Sequence, residues 1–172
     1  MKIVYICVET TKQAATDNKY IDKALKYYYD VGTEESIKYH YMGGKGNCTD
    51  TDITKEVRKL RTLETCDEVD VVVCIDLDSA SDPDNVQENK KIFEYCKAQN
   101  FRVVWFCSTI EEVFLHSKMS DSQKKSASVK FYADKKDGLG KATTASLSSE
   151  TQNTYKSNFL NVFDAVLVRK RN

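Results

Sequence analysis

The sequence predicts an α/β fold in which a doubly wound, mainly parallel sheet is flanked by helices. Four short apolar runs are rich in β-branched and aromatic residues, which is typical of strands. Helical patterns lie between them, so the expected order is β-α-β-α-β-α-β. The third and fourth runs are apolar without alternation, which indicates strands covered by helices on both faces. Right-handed crossovers then give a doubly wound sheet whose ligands gather beyond the carboxyl ends of the strands.

The individual elements follow one another as far as residue 116. Strands are predicted at residues 3–8, 37–42, 69–75 and 101–107. Helices are predicted at residues 21–29, 53–63 and 86–99, with a shorter one near residues 110–116. A length of 172 residues favours a single domain over the whole chain. Its core would span about residues 1–116, followed by an insertion at about 117–157 and a closing helix or strand at about 158–172.

Residues 117–157 form a polar C-terminal extension rich in Ser, Thr and Lys. Its part from residue 118 to residue 141 holds seven Lys against three Asp, an excess of four positive charges. Such a stretch is typical of a solvated, partly mobile insertion. The alternative is that its lysines face the phosphate groups of a ligand. Residues 159–168 are apolar again, which predicts a helix or loop leading into a last strand before the basic tail at 169–171.

Composition limits the classes of partner and compartment. The 26 Lys and Arg residues balance 26 Asp and Glu, so a nucleic-acid partner would have to be met by a local basic patch. No two of the six cysteines lie closer than eight positions, so metal-knuckle and redox spacings are absent. Neither a signal-peptide pattern nor an apolar run of membrane-spanning length is present. We therefore expect a soluble, reduced, cytoplasmic protein that does not associate with membranes.

Three carboxylates follow the predicted strands at their carboxyl ends. Glu9 comes after the first strand, while Asp76 and Asp78 come at the end of the third. Because a wholly apolar central strand has no packing use for an acidic pair, a counter-ion is the simplest explanation for Asp76 and Asp78. Oxygen-rich sites of this kind favour hard cations such as Mg²⁺ or Mn²⁺. The sequence therefore predicts a metal site at this edge of the sheet.

Two neighbouring loops offer further candidates, each with a structural alternative. Asp82 follows on the loop after the third strand, where it is either another metal ligand or the N-cap of the helix that starts near Pro83. Gly44, Lys45 and Gly46 form a glycine-rich turn after the second strand. This turn lacks the spacing of a P-loop, so it is either a phosphate-binding loop or only a tight turn.

These residues resemble the Rossmann-like TOPRIM fold, the catalytic module of primases, type II topoisomerases, small ribonucleases and the OLD and RloB-like nucleases. The resemblance covers about the first 115 residues and rests on Glu9, the Asp76-Leu77-Asp78 motif and the glycine turn. The run from residue 108 to residue 116 looks most like the RloB-like group, with Glu112 and Phe114 in the glutamate-x-aromatic positions. Thr109 stands where that group usually has proline, and Thr10 where it usually has glycine.

The resemblance implies a metal-dependent nuclease that cleaves the phosphodiester bonds of DNA or RNA, as in bacterial and phage-related defence systems. Asp76 and Asp78 would hold Mg²⁺ or Mn²⁺, and Glu9 would ligate a metal or act as general acid or base. Glu112 would be a further acidic ligand, and Lys45 would contact phosphate. The departures at Thr10 and Thr109 favour one alternative, a non-catalytic module that binds a protein or a nucleic acid. A receiver-like phosphoacceptor is the third hypothesis, although its usual early acidic pair is absent.

Overall fold

The computed structural model describes residues 1–135 and 138–170 of the chain. Within them, four strands form one sheet, namely β1 (Lys2–Val8), β2 (Glu35–Tyr41), β3 (Glu68–Asp76) and β4 (Arg102–Phe106). The order across the sheet is β2-β1-β3-β4, and every pairing is parallel. The predicted α/β class, with a parallel sheet flanked by helices, is confirmed.

Helices follow the strands in the predicted alternation. They are α1 (Asp17–Tyr28), α2 (Thr51–Arg61), α3 (Pro83–Ala98), α4 (Ile110–Leu115), α5 (Asp121–Ala133), α6 (Thr144–Leu147) and α7 (Phe159–Phe163), with a 3-10 helix at Lys45–Thr49. None of the helices in the described part of the chain is long and apolar enough to cross a membrane.

Each face of the sheet is covered by its own apolar cluster, because successive side chains of a strand point to opposite faces. Val4 and Ile6 of β1 pack in one cluster with side chains of α1, α4, α5 and α7. Ile3 and Tyr5 pack in the other with side chains of α2 and α3. All six cysteines lie within the described residues and are free, and five of them are buried as small apolar side chains.

The direction in which the chain adds strands to the sheet changes between β1 and β3. The chain moves from β1 to β2 on one side, and then continues with β3 and β4 on the other side of β1. Ligands of open parallel sheets bind in the crevice beyond the carboxyl ends of the strands at such a reversal. Glu9 directly follows β1, and Asp76 ends β3. Both residues therefore lie at the place where this topology forms a crevice.

The polar insertion is more ordered than its composition indicates. Helix α5 packs against α1, and its Phe131 is only 5 % exposed. The ring of Phe131 lies 4.6 Å from that of Tyr20 and 5.4 Å from that of Phe114, measured between centroids. Lys23 of α1 donates hydrogen bonds to the carbonyl oxygens of Phe131 and Asp134 at 2.6 and 2.7 Å. Helix α5 therefore buries Ser128 and Phe131 in the fold, although most of its other side chains are exposed.

The closing segment begins with a helix, as one form of the prediction had it, but the predicted last strand does not follow in the described residues. Residues Phe159–Phe163 form helix α7, which buries Phe159, Leu160 and Phe163 in the core. After it, the described residues add no fifth strand to the sheet, and Arg169 makes one isolated antiparallel bridge with Tyr29. The apolar character of this segment thus serves helix packing. Lys136 and Asp137 of the lysine-rich stretch, together with Arg171 of the tail, lie outside the described residues.

The Phe131→Ala variant should be destabilised by about 3–5 kcal/mol, because it leaves a cavity between α5, α1 and α4. Urea unfolding followed by circular dichroism measures this change. The matched control is Val129→Ala on the same helix, where the side chain is 49 % exposed, and its effect should stay within about 0.5 kcal/mol. Equal, small effects of both substitutions would mean that α5 does not contribute to the core.

Candidate active site

Glu9 and Asp76 meet at the carboxyl ends of β1 and β3. The Glu9 Oε1 atom accepts a hydrogen bond from the backbone N–H of Asp76 at 2.6 Å. The Asp76 Oδ1 atom in turn accepts one from the backbone N–H of Ile110 at 2.9 Å. Because Ile110 is the first residue of α4, this contact joins the ends of β1, β3 and β4 at one point. The structure therefore brings together the first two of the three predicted carboxylates.

Asp78 is held by the lysine of the glycine turn. The Lys45 ammonium group forms an ion pair with the Asp78 carboxylate and lies 3.8 Å from the Glu88 carboxylate on α3. It also donates to the carbonyl oxygen of Asp76 at 3.3 Å. Lys45 is only 8 % exposed. Its ammonium group is therefore largely shielded from solvent, although the Asp78 and Glu88 side chains that it faces are each 42 % exposed.

The glycine turn has the geometry of a tight turn. Gly43 and Gly44 have φ angles of +71° and +140°, which residues with a side chain rarely adopt. A Cβ atom on Gly46 would lie 3.0 Å from the Glu88 Oε1 atom. These φ angles allow the 3-10 helix to start directly after the turn. Its first residue, Lys45, then reaches the carboxyl end of β3. Phosphate binding by Gly44, Lys45 and Gly46 stays a prediction.

Two further carboxylates, which the sequence analysis missed, lie beside Glu9 and Asp76. Asp17 starts α1, and its carboxylate accepts hydrogen bonds from the Thr10 N–H at 3.3 Å and the Thr16 hydroxyl at 3.1 Å. Glu111 in the first turn of α4 is 1 % exposed, and its Oε2 atom has no hydrogen-bond partner among the described residues. Both lie in the first turn of a helix that follows a strand of the sheet, and this position was the available sequence clue.

Burial and mutual repulsion disfavour the charged forms of these carboxylates. Burial, together with the charges of Asp17 and Asp78, raises the pKa of Glu9 to about 8, against the hydrogen bond from the Asp76 N–H. Burial and the charge of Glu111 raise the pKa of Asp17 to about 6. Burial and the charge of Glu9 hold the pKa of Asp76 well above its usual range. The cluster therefore has more negative charge than its neighbouring cations balance.

A cavity of about 480 Å³ opens beside this cluster. Its lining includes Asp78, Ser108, Thr109, Glu112, Lys118 and Lys124. Glu112 is 7 % exposed and lines this cavity, while the neighbouring Glu111 acts on Asp76 through its charge. The pKa of Lys124 is raised, because the charges of Glu111, Asp76 and Asp121 outweigh its partial burial. Helix α5 thus supplies a cation to the acidic site.

Asp82 has the role of a helix cap. It is the N-cap of α3, with Pro83 as the first helical residue. Its side chain accepts hydrogen bonds from the Asp84 N–H at 3.0 Å and from the Asn85 amide at 3.3 Å. This is the structural alternative that the sequence offered for Asp82.

The candidate ligands at this site offer only oxygen donors from carboxylates to a metal ion. In residues 1–135 and 138–170, no three Asp, Glu, His or Cys side chains form a group that could hold a metal ion. Nevertheless, the donors are carboxylate oxygens, which Mg²⁺ and Mn²⁺ prefer, and the buried Glu111 Oε2 atom has no partner in this part of the chain. Binding of a divalent cation by these carboxylates therefore stays a prediction. The assignment of ligands stays a prediction for Glu9, Asp76, Asp78, Asp82 and Glu112.

Fold and site together define a parallel α/β protein with half-buried carboxylates at the ends of β1 and β3. Comparisons with protein-family models, with curated proteins and with solved structures gave no match. The resemblance to TOPRIM and RloB-like proteins therefore rests on the residues and spacings described above.

Without divalent cations, the protein should lose stability as the pH rises from about 5 to 8. The folded-state pKa values of Glu9 and Asp17, about 8 and about 6, exceed their ordinary values of 4.5 and 3.8. At a pH between the ordinary pKa and the folded-state pKa of either group, the folded protein binds more protons than the unfolded chain. The free energy of unfolding therefore falls as the pH rises through this range. Thermal unfolding at pH 5, 6.5 and 8 in a chelator measures this effect. Glu9→Gln should flatten the dependence, and an unchanged profile would contradict the role given to Glu9.

Proposed function

We propose that the chain is a metal-dependent nuclease of the TOPRIM type, which cleaves phosphodiester bonds in DNA or RNA. The observation that supports it most is the convergence of half-buried and buried carboxylates where the sheet order reverses. Glu9, Asp17, Asp76 and Glu111 come from four different parts of the chain, and neighbouring negative charges help to raise the pKa values of Glu9, Asp17 and Asp76. Because such a cluster opposes folding, a cation-dependent function is the simplest reason for it. The RloB-like resemblance suggests a role in bacterial or phage-related defence.

Asp76 and Asp78 would hold Mg²⁺ or Mn²⁺ in this proposal, with Glu111 as a further candidate ligand. The bound ion would stabilise negative charge that develops on the phosphate. Glu9 is oriented by the Asp76 N–H, and burial raises the pKa of its carboxyl group to about 8 in the metal-free protein. That property suits a group that gives or takes a proton during phosphodiester cleavage. Lys45 would orient Asp78 through their ion pair.

The test is cleavage by the purified protein. Labelled single- and double-stranded DNA and RNA are incubated with Mg²⁺, with Mn²⁺ or with a chelator. We expect cleavage of at least one substrate with a metal and none with the chelator. Absence of cleavage of every substrate with either metal would reject the nuclease.

The second candidate is a non-catalytic module that binds a nucleic acid or a protein. It is favoured by the partners that the carboxylates already have, since Lys45 pairs with Asp78 and backbone N–H groups bind Glu9 and Asp76. Nucleic-acid binding that is equally strong with and without metal, in a protein that cleaves no substrate, would support this candidate over the nuclease.

A further inference from the structure

We propose that a groove along helix α5, which leads away from the candidate active site, binds the phosphate backbone of a nucleic-acid strand. Lys118 and Lys130 would be its main cations. The proposal rests on the proposed function for the class of ligand. Binding in the groove does not depend on cleavage, so the groove and the nuclease can be rejected separately.

The groove continues the cavity of the acidic site. A second cavity of about 590 Å³ lies beside α5. Lys118 and Met119, in the turn before α5, line this cavity and also the cavity that contains Asp78 and Lys124. The two cavities therefore adjoin at this turn. A strand that placed one phosphate near Asp78 would meet Lys118 next and then the exposed side of α5.

One face of α5 forms the wall of the groove. Gln123, Ser126, Ala127 and Lys130 all line the cavity, and their spacing of three and four residues places them on the same side of a helix. Lys125 is also exposed. Since successive residues of a helix are rotated by about 100°, it lies on nearly the opposite side of α5 from Lys130. The helix therefore contains both a groove lysine and a matched lysine away from the groove.

The charges of the groove suit a polyanion. Lys23, Lys118, Lys130 and Asp134 are its charged lining residues, which leaves a net of two positive charges. Lys23 already donates to two carbonyl oxygens at the end of α5 and lies 4.4 Å from the centroid of the Phe131 ring. Lys118 and Lys130 are exposed at the surface of the groove. They are therefore the cations that an incoming phosphate would meet.

The polar groups between these lysines also suit a nucleic-acid backbone. Ser117, Ser122, Ser126 and Gln123 line the groove, and hydroxyl and amide side chains commonly contact phosphate and sugar. The apolar floor includes Leu115, Met119 and Phe131. A single strand can place its phosphates on the lysines and its sugars and bases on such a floor.

The test compares Lys130→Glu with Lys125→Glu in the full chain. Binding of a fluorescein-labelled single-stranded 12-nucleotide DNA is measured by fluorescence anisotropy in a chelator, from 50 to 300 mM NaCl. Each phosphate contact contributes about 0.7 to the slope of log affinity against log salt. Lys130→Glu should therefore reduce this slope by about 0.7–1.4 and weaken binding at 0.1 M salt by about 5- to 25-fold. Lys125→Glu should change the affinity less than about twofold.

Several results would overturn the groove. They are an absence of binding by the wild type, an equal loss in both variants with unchanged melting temperatures, and binding to phosphatidylserine vesicles but not to the oligonucleotide.

Hydrolysis of bis(p-nitrophenyl) phosphate with Mn²⁺ reports on the acidic site alone, and Lys130→Glu should leave it unchanged. A wild type that binds the oligonucleotide but cleaves nothing supports the groove and removes the nuclease. A wild type that cleaves, with a Lys130→Glu variant that binds equally tightly, removes the groove alone.

Discussion

Replacing Glu9 by Gln should lower metal-dependent cleavage by about 10²- to 10⁴-fold, the usual contribution of a positioned acid or base. The substitution keeps the Oε1 atom that accepts the hydrogen bond from the Asp76 N–H. The geometry of the sheet edge should therefore survive, while the charge and the exchangeable proton are lost. Initial rates with saturating Mn²⁺ on the preferred nucleic acid measure the effect.

The matched control for this variant is Glu94→Gln. Glu94 lies on the exposed side of α3, where its contact with Lys90 is 4.0 Å long, so the substitution removes the same charge away from the site. It should cleave at the wild-type rate. A Glu9→Gln variant as active as the wild type would leave the nuclease standing and would take Glu9 out of its mechanism.

Replacing Asp76 by Asn should weaken Mn²⁺ binding by at least about 100-fold, beyond the 10- to 100-fold typical of residues that only orient a ligand. The Asn side-chain oxygen can still accept the hydrogen bond from the Ile110 N–H. The fold should therefore be kept. At pH 8 without metal, the melting temperature should rise, because a carboxylate repelled by Glu9 and Asp17 is removed. Each kcal/mol gained in the free energy of unfolding corresponds to a rise of about 2–4 °C. Calorimetric titration with Mn²⁺ and thermal unfolding measure the two effects.

Asp52→Asn on α2 is the control, since the Asp52 side chain is 76 % exposed and lies in a surface ion pair with Lys55. It should leave Mn²⁺ binding unchanged. If Asp76→Asn binds Mn²⁺ as tightly as the wild type, Asp76 is not a ligand. Lower thermal stability of Asp76→Asn at pH 8 would contradict the repulsion inferred at this site.

The alternation of strands and helices was predictable because each element carries a local pattern of buried residues. The runs that form β3 and β4 are apolar on both faces, and helices cover both faces of the sheet. Glu9 and Asp76 were found by the same reasoning, since residues at the carboxyl ends of parallel strands share one edge. The N-cap at Asp82 was visible from its position before Pro83.

Helix α5 was harder to predict because its contribution to the core depends on contacts between distant parts of the chain. Ser128 and Phe131 are its buried residues, so its sequence has no strong apolar period. The ring of Phe131 is nevertheless placed between Tyr20 and Phe114. For the same reason, the sequence showed an excess of lysines in this segment but did not show that Lys130 lines the groove and Lys125 does not.

The sequence by itself determined the class of fold, the order of its elements and the edge of the sheet at which acidic side chains meet. These features follow from local periodicity and from the geometry of parallel strands. Only the tertiary structure decided the partner of each charge. It joined Lys45 to Asp78 and brought Asp17 and Glu111 beside Asp76. Such pairings depend on helix packing and on the depth of burial, and both arise from contacts between residues far apart in the chain.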